Sequence, residues 1–121
     1  MLFIGDIVGR PGRAAVTALV PALRSEMRLD LVVANAENIA GGNGITPETV
    51  GELLAAGVDV ITTGDHVFDQ KTGVHALALA NVLRPANYPP GTPGSGCYVC
   101  GTSAAGSVAV INVMGRVFMK P

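Results

Sequence analysis

An α/β fold, with parallel strands each followed by a helical segment and a β-hairpin at the end, is what this sequence predicts, on three observations. Hydrophobic residues make up 49% of the 121-residue chain and charged residues only 14%, a balance that excludes intrinsic disorder and suits strands buried on both faces. Short apolar runs alternate with stretches of helical spacing. The first three of those runs each end in acidic or amide residues, as expected at the carboxyl edge of an open parallel sheet. The length suits one modest core, so one domain or part of one.

Leu2-Phe3-Ile4 reads as the first strand, closed by Gly5-Asp6. Val16, Leu19, Val20, Leu23 and Met27 then recur at helical spacing, with Pro21 inside the pattern. A proline costs about 3 kcal/mol in a helix interior, so a kink or a break is expected there. Leu31 to Ala34 form a second strand ending in Asn35-Ala36-Glu37-Asn38. Thr46 suits an N-cap, with Pro47 at the first helical position, Val50, Leu53 and Leu54 as the inner stripe and Gly57 as the stop. Val58 to Ile61 form a third strand that runs into Gly64-Asp65-His66. A short helix is expected from Val74 to Val82, and then "RPANYPPGTPGSG", too rich in proline and glycine for regular structure, forms a loop long enough to be functional. "CYVCGTSAAGSVAVINV" reads as an antiparallel hairpin continuing the sheet.

The net charge of −1 offers no basic face for duplex nucleic acid. The opening "MLFIGD" has no basic n-region or cleavage site, and glycine, proline or charge interrupts every apolar stretch before it reaches membrane length. A soluble, cytoplasmic protein without a membrane partner is therefore expected. Cys97 and Cys100 have C-x-x-C spacing but lack the second pair of a zinc site, so buried reduced thiols are expected.

Taken singly, Asp6 reads as a turn or cap residue, Glu37-Asn38 as a surface loop and His66 as a structural histidine. Together they stand at three strand ends about thirty positions apart, and an α/β sheet brings such ends to one edge. Convergent carboxylates need a cation. Carboxylate and amide oxygens select hard or borderline divalent ions such as Mg, Mn or Fe. Two such ions can activate water and hold a phosphoryl group, while a neighbouring histidine protonates the leaving oxygen. Gly5, Gly9 and Gly12 in "GDIVGRPGR" offer a rival phosphate-cradling loop, but neither the dinucleotide nor the nucleoside-triphosphate fingerprint is met. Arg10 and Arg13 are candidate substrate contacts in that segment.

The segments "LFIGDIVGRPGR", "NAENIAGGNGIT", "TTGDHVFDQK", "RPANYPPGTPG" and "INVMGRVFM", in this order, closely resemble the YmdB-like branch of the calcineurin-like metallophosphoesterases, bacterial phosphodiesterases of cyclic nucleotides. The resemblance runs along essentially the whole chain. It implies a metallophosphoesterase-type α/β sandwich, two divalent metal ions of the iron or manganese kind, and hydrolysis of 2',3'- or 3',5'-cyclic nucleotides. By motif, it implies that Asp6 binds the first metal, Glu37 bridges, Asn38 and Asp65 bind the second, and His66 is the proton donor.

Two departures stand out. Asp65 occupies a position where the family usually has asparagine. The family's later metal-binding histidines, including a Thr-His-x-His motif, have no counterpart here, and the other histidine, His75, reads as structural. The chain is therefore expected to be the N-terminal part of a single metallophosphoesterase domain, inactive in isolation, acting in its extended form on a small phosphodiester and with homo-oligomerisation open. The alternatives are a catalytically degenerate nucleotide- or partner-binding domain and a Rossmann-like phosphate-binding module.

Overall fold

The computed structural model describes residues 1–102, 106–117 and 119. Leu2–Ile4 (β1), Val32–Asn35 (β2), Val60–Thr62 (β3) and Val82–Leu83 (β4) form a four-stranded sheet in that order, every neighbouring pair parallel. Parallel neighbours require crossovers. Gly9–Glu26 (α1) and Pro47–Ala55 (α2) supply the first two, and a 3-10 turn at Asp65–Phe68 with the one-turn helix Gly73–Ala76 (α3) supplies the third.

Alternation along the strands explains the uninterrupted apolar runs. Val32, Ala34, Ile61 and Val82 join Val16 and Val20 of α1 and Val50 and Leu53 of α2 in one core. Leu31, Val33, Val60 and Leu83 face the other way. Tyr98, Cys100, Val108 and Val110 cover them, from an antiparallel hairpin of Cys97–Thr102 (β5) and Gly106–Ile111 (β6). The hairpin is thus a separate two-stranded sheet laid on the first, and does not continue it as expected. The second apolar face needs a cover, whereas β4, two residues long, offers little edge to extend.

The remaining corrections have local causes. α1 runs through Pro21 for 18 residues without a break. Burial of Val16 and Val20 holds the helix before and beside the proline, and Arg24 holds it afterwards, donating to Asp59 Oδ2 at 2.6 Å and to the Gly57 carbonyl at 2.8 Å. The inner stripe is narrower than the spacing suggested, since Leu19 is 57% and Met27 60% exposed. The helix expected over Val74 to Val82 shrinks to α3, because Val82 and Leu83 are recruited into the sheet, where Thr63 N–H donates to the Leu83 carbonyl at 3.0 Å. Cys97 is exposed and Cys100 half-buried, not a buried pair. Three positions apart on a strand they face opposite sides, so they cannot build one site.

α2 begins as expected. Thr49 N–H donates to the Thr46 hydroxyl at 3.2 Å and Thr46 N–H to the Thr49 hydroxyl at 3.0 Å. The carboxyl of Glu48 in this first turn is held below its usual value by its own backbone amide and the Thr46 hydroxyl. Among the described residues no helix is long and apolar enough to cross a membrane.

Candidate active site

The carboxyl edge of the sheet is organised by backbone pairing between the loops that leave it. After β1, Ile7 N–H donates to the Asn35 carbonyl at 3.1 Å and Gly9 N–H to the Asn38 carbonyl at 2.9 Å. Gly9 adopts a φ of +55°, a left-handed conformation that turns the chain into α1. This pairing sets Asp6 against Asn38, whose side-chain amide donates to both Asp6 carboxylate oxygens, at 3.0 and 3.1 Å.

The same Asn38 reaches the third strand end. Its Oδ1 lies 2.7 Å from His66 Nδ1. An amide oxygen only accepts, so Nδ1 carries the hydrogen of this bond and Nε2 is the nitrogen left for chemistry. Nε2 lies 3.8 Å from Asp65 Oδ2, and both side chains are partly exposed.

Glu37 completes the group. Its carboxylate packs against the Cα of Gly64, where any β-carbon would collide with it, so glycine is required for this approach. One ligand atom each from Glu37, Asp65 and His66 lie within 4.8 Å of one another. Opposed ligands about 2.1 Å from a small divalent ion are about 4.2 Å apart, so little closure is needed to fit one. The two carboxylates are chemically suited to such an ion, and the imidazole stands beside them within reach of what they would hold.

Asp6, Glu37, Asn38, Asp65 and His66 are therefore neighbours in space. Arg13 is occupied elsewhere, donating from Nε to Glu52 at 2.6 Å and from a terminal nitrogen to the Ile39 carbonyl at 2.6 Å. It ties α1 to α2, and its proposed substrate contact gains no support. Arg10 is exposed on the first turn of α1.

Tyr88 was not anticipated. Its hydroxyl donates to the Gly64 carbonyl at 3.1 Å, at the base of the Asp65–His66 turn, and its ring stacks on Phe68 with centroids 6.1 Å apart. Burial first, and then the carboxylates of Asp65, Glu37 and Asp69, push its phenol above the ordinary value. The available signal was an aromatic residue inside a proline-rich loop of functional length.

Over the full chain the sequence is 42% identical to a 2',3'-cyclic-nucleotide 2'-phosphodiesterase of Bacillus subtilis, of which it covers 46%. It is 36% identical to a putative phosphatase/phosphodiesterase of Mycoplasma genitalium over 72% of this chain and 31% of that one. Among solved structures, a hypothetical protein from Thermus thermophilus superposes with a TM-score of 0.91 at 43% identity, covering 98% of this chain and 46% of that one. A phosphatase from Mycoplasma pneumoniae gives a TM-score of 0.85 at 30% identity, covering 94% and 42% respectively. The chain thus spans about half the length of the Bacillus and Thermus proteins. The sequence model of the YmdB-like proteins matches residues 2–121, and the chain belongs to that family.

Proposed function

We propose that the complete protein carrying this chain is a metal-dependent phosphodiesterase of 2',3'- or 3',5'-cyclic nucleotides, and that residues 1–121 are the N-terminal part of its single catalytic domain. The observation that carries the reading is the convergence of Glu37, Asp65 and His66 within 4.8 Å, linked through Asn38 to Asp6. The 42% identity to a 2',3'-cyclic-nucleotide 2'-phosphodiesterase supports the substrate class.

Asp6, Glu37, Asn38 and Asp65 would hold two divalent ions, of iron or manganese by resemblance to the family. Bound there, such ions supply a nucleophile at neutral pH and offset the charge of the phosphoryl group. The chain's own residues supply the rest. The Glu37 carboxylate lies beside Gly64 and accepts from the Asn35 side-chain amide at 3.4 Å, and Asn38 holds the imidazole of His66 by Nδ1. The proton His66 gives to the leaving oxygen therefore departs from Nε2, the atom turned toward Asp65. Asn38 joins the imidazole to Asp6, so acid and ligands move as one unit.

Among the described residues the other histidine, His75, is exposed on α3. The isolated chain is accordingly expected to turn over little substrate even with manganese added. The test is the complete gene product assayed with manganese on 2',3'- and 3',5'-cyclic nucleotides. Release of nucleoside monophosphate supports the proposal, and failure to cleave either class while cleaving another phosphodiester rejects the substrate assignment.

A further inference from the structure

Asp65 and His66 line a cleft of about 830 Å³ that also includes Phe68, Tyr88, Met114 and Arg116. Its floor is built by identifiable bonds. Tyr88 is tied to the Gly64 carbonyl at 3.1 Å. The Asn87 side chain donates to the Met114 carbonyl at 2.8 Å and accepts from Met114 N–H at 3.0 Å, which fixes the opposite wall. Arg84 donates to the Pro85 carbonyl at 2.8 Å within the loop that carries both residues, and Asn112 donates to the Thr63 and Leu83 carbonyls at 2.7 and 3.1 Å beneath it.

Phe68 shares its turn with Asp65 and His66, and the residue remains 40% exposed although its ring stacks on Tyr88 at an interplanar angle of 26°. Two stacked aromatic rings lining the same cleft as a phosphoryl-handling group suit a flat uncharged ring.

From this geometry we infer that Phe68, backed by Tyr88, is the platform on which the nucleobase of the substrate stacks, with its cyclic phosphate directed toward Asp65 and His66. The inference rests on the proposed phosphodiesterase function and adds how the base is held. Stacking tolerates every base, so the platform favours nucleotides over base-free cyclic phosphates without strong preference among bases. Tyr88 acts by positioning Phe68 and the Gly64 turn.

The experiment uses the complete gene product loaded with manganese. It compares kcat/KM for 2',3'-cyclic AMP with kcat/KM for base-free ribose 2',3'-cyclic phosphate in wild type, Phe68→Ala, Phe68→Leu and Phe68→Trp. Loss of a stacked ring is expected to lower the nucleotide-to-ribose ratio about 5- to 100-fold in the Ala and Leu variants, mainly through KM, with the ratio restored in Phe68→Trp. Equal losses on both substrates, or an unchanged ratio, overturn the platform while leaving the phosphodiesterase in place. Calorimetric binding of adenosine 2'-monophosphate separates the two claims. If wild type binds it, Phe68→Ala does not, and no cyclic nucleotide is hydrolysed, the platform stands and the proposed function falls. If wild type does not bind it and its ratio shows no preference for the nucleotide, the platform is rejected.

Discussion

Asn38 and His66, 28 positions apart, share a 2.7 Å hydrogen bond in which the amide oxygen receives the Nδ1 hydrogen. Because the same amide donates to Asp6, one residue sets both a carboxylate and an imidazole at the reacting edge. Asn38→Ala is expected to lower kcat of the complete enzyme about 10- to 100-fold or more, because it removes a proposed metal ligand together with the bonds that set Asp6 and His66. Steady-state kinetics at saturating manganese check this, and a wild-type kcat removes Asn38 from the site.

Gly64 is the position where one added methyl group would press directly on the proposed metal-binding carboxylate. A β-carbon there collides with the Glu37 carboxylate, while the backbone of the turn is otherwise free to persist. Gly64→Ala is expected to weaken manganese binding by about tenfold or more while the far-ultraviolet circular dichroism stays that of wild type. Unaltered affinity would place Glu37 outside the metal group.

Asp65 adds a carboxylate where the resemblance to the family implies asparagine, and one of its oxygens lies within 4.8 Å of the Glu37 and His66 ligand atoms. Without metal the like charges repel, and with metal the extra charge attracts. Asp65→Asn is expected to weaken the second metal's binding by roughly tenfold, raise the melting temperature of the metal-free protein, and leave the saturated enzyme active. Paired melting and titration experiments decide, and no change in either places Asp65 outside the cluster.

The Tyr88 phenol gives a pH-dependent readout. Its folded pKa is raised above the ordinary 10.0, so its contribution to stability is fully present below that pH. It is lost as pH rises through the higher folded value, because the unfolded chain ionises first. Tyr88→Phe should flatten the alkaline decline and lower the neutral plateau by about 0.5–1.5 kcal/mol through loss of the bond to Gly64. Manganese should lower the phenol pKa by offsetting the charges of Asp65 and Glu37. The difference between absorbance titrations of wild type and Tyr88→Phe follows that phenol, and an unmoved difference curve with metal bound would separate Tyr88 from the centre.

The edge of the sheet was legible because each apolar run stops where its strand leaves the core, so Asp6, Glu37 and Asp65-His66 follow from chain order and parallel topology. Thr46 and Pro47 announced α2 by local chemistry that needs no tertiary partner. β4 was hidden because two buried residues carry no periodicity, and its existence depends on hydrogen bonds to β3. Tyr88 was hidden because its place depends on the path of a proline-rich loop, which Arg84, Asn87 and Asn112 fix through bonds to backbone atoms near and far in the chain. Pro21 misled in the opposite sense, since a local cost was outweighed by Val20 packing and the Arg24–Asp59 ion pair.

The central claim is that Glu37 and its neighbours hold the divalent ions on which phosphodiester cleavage depends. Its most direct test is hydrolysis of 2',3'-cyclic AMP by the complete gene product, wild type beside Glu37→Gln, first with chelator and then with manganese restored. The expected result is activity in wild type that stops with chelator and returns with manganese, and a loss of about 10²-fold or more in Glu37→Gln with manganese present. Wild-type turnover that persists in chelator, or full activity of Glu37→Gln with manganese, would contradict the account.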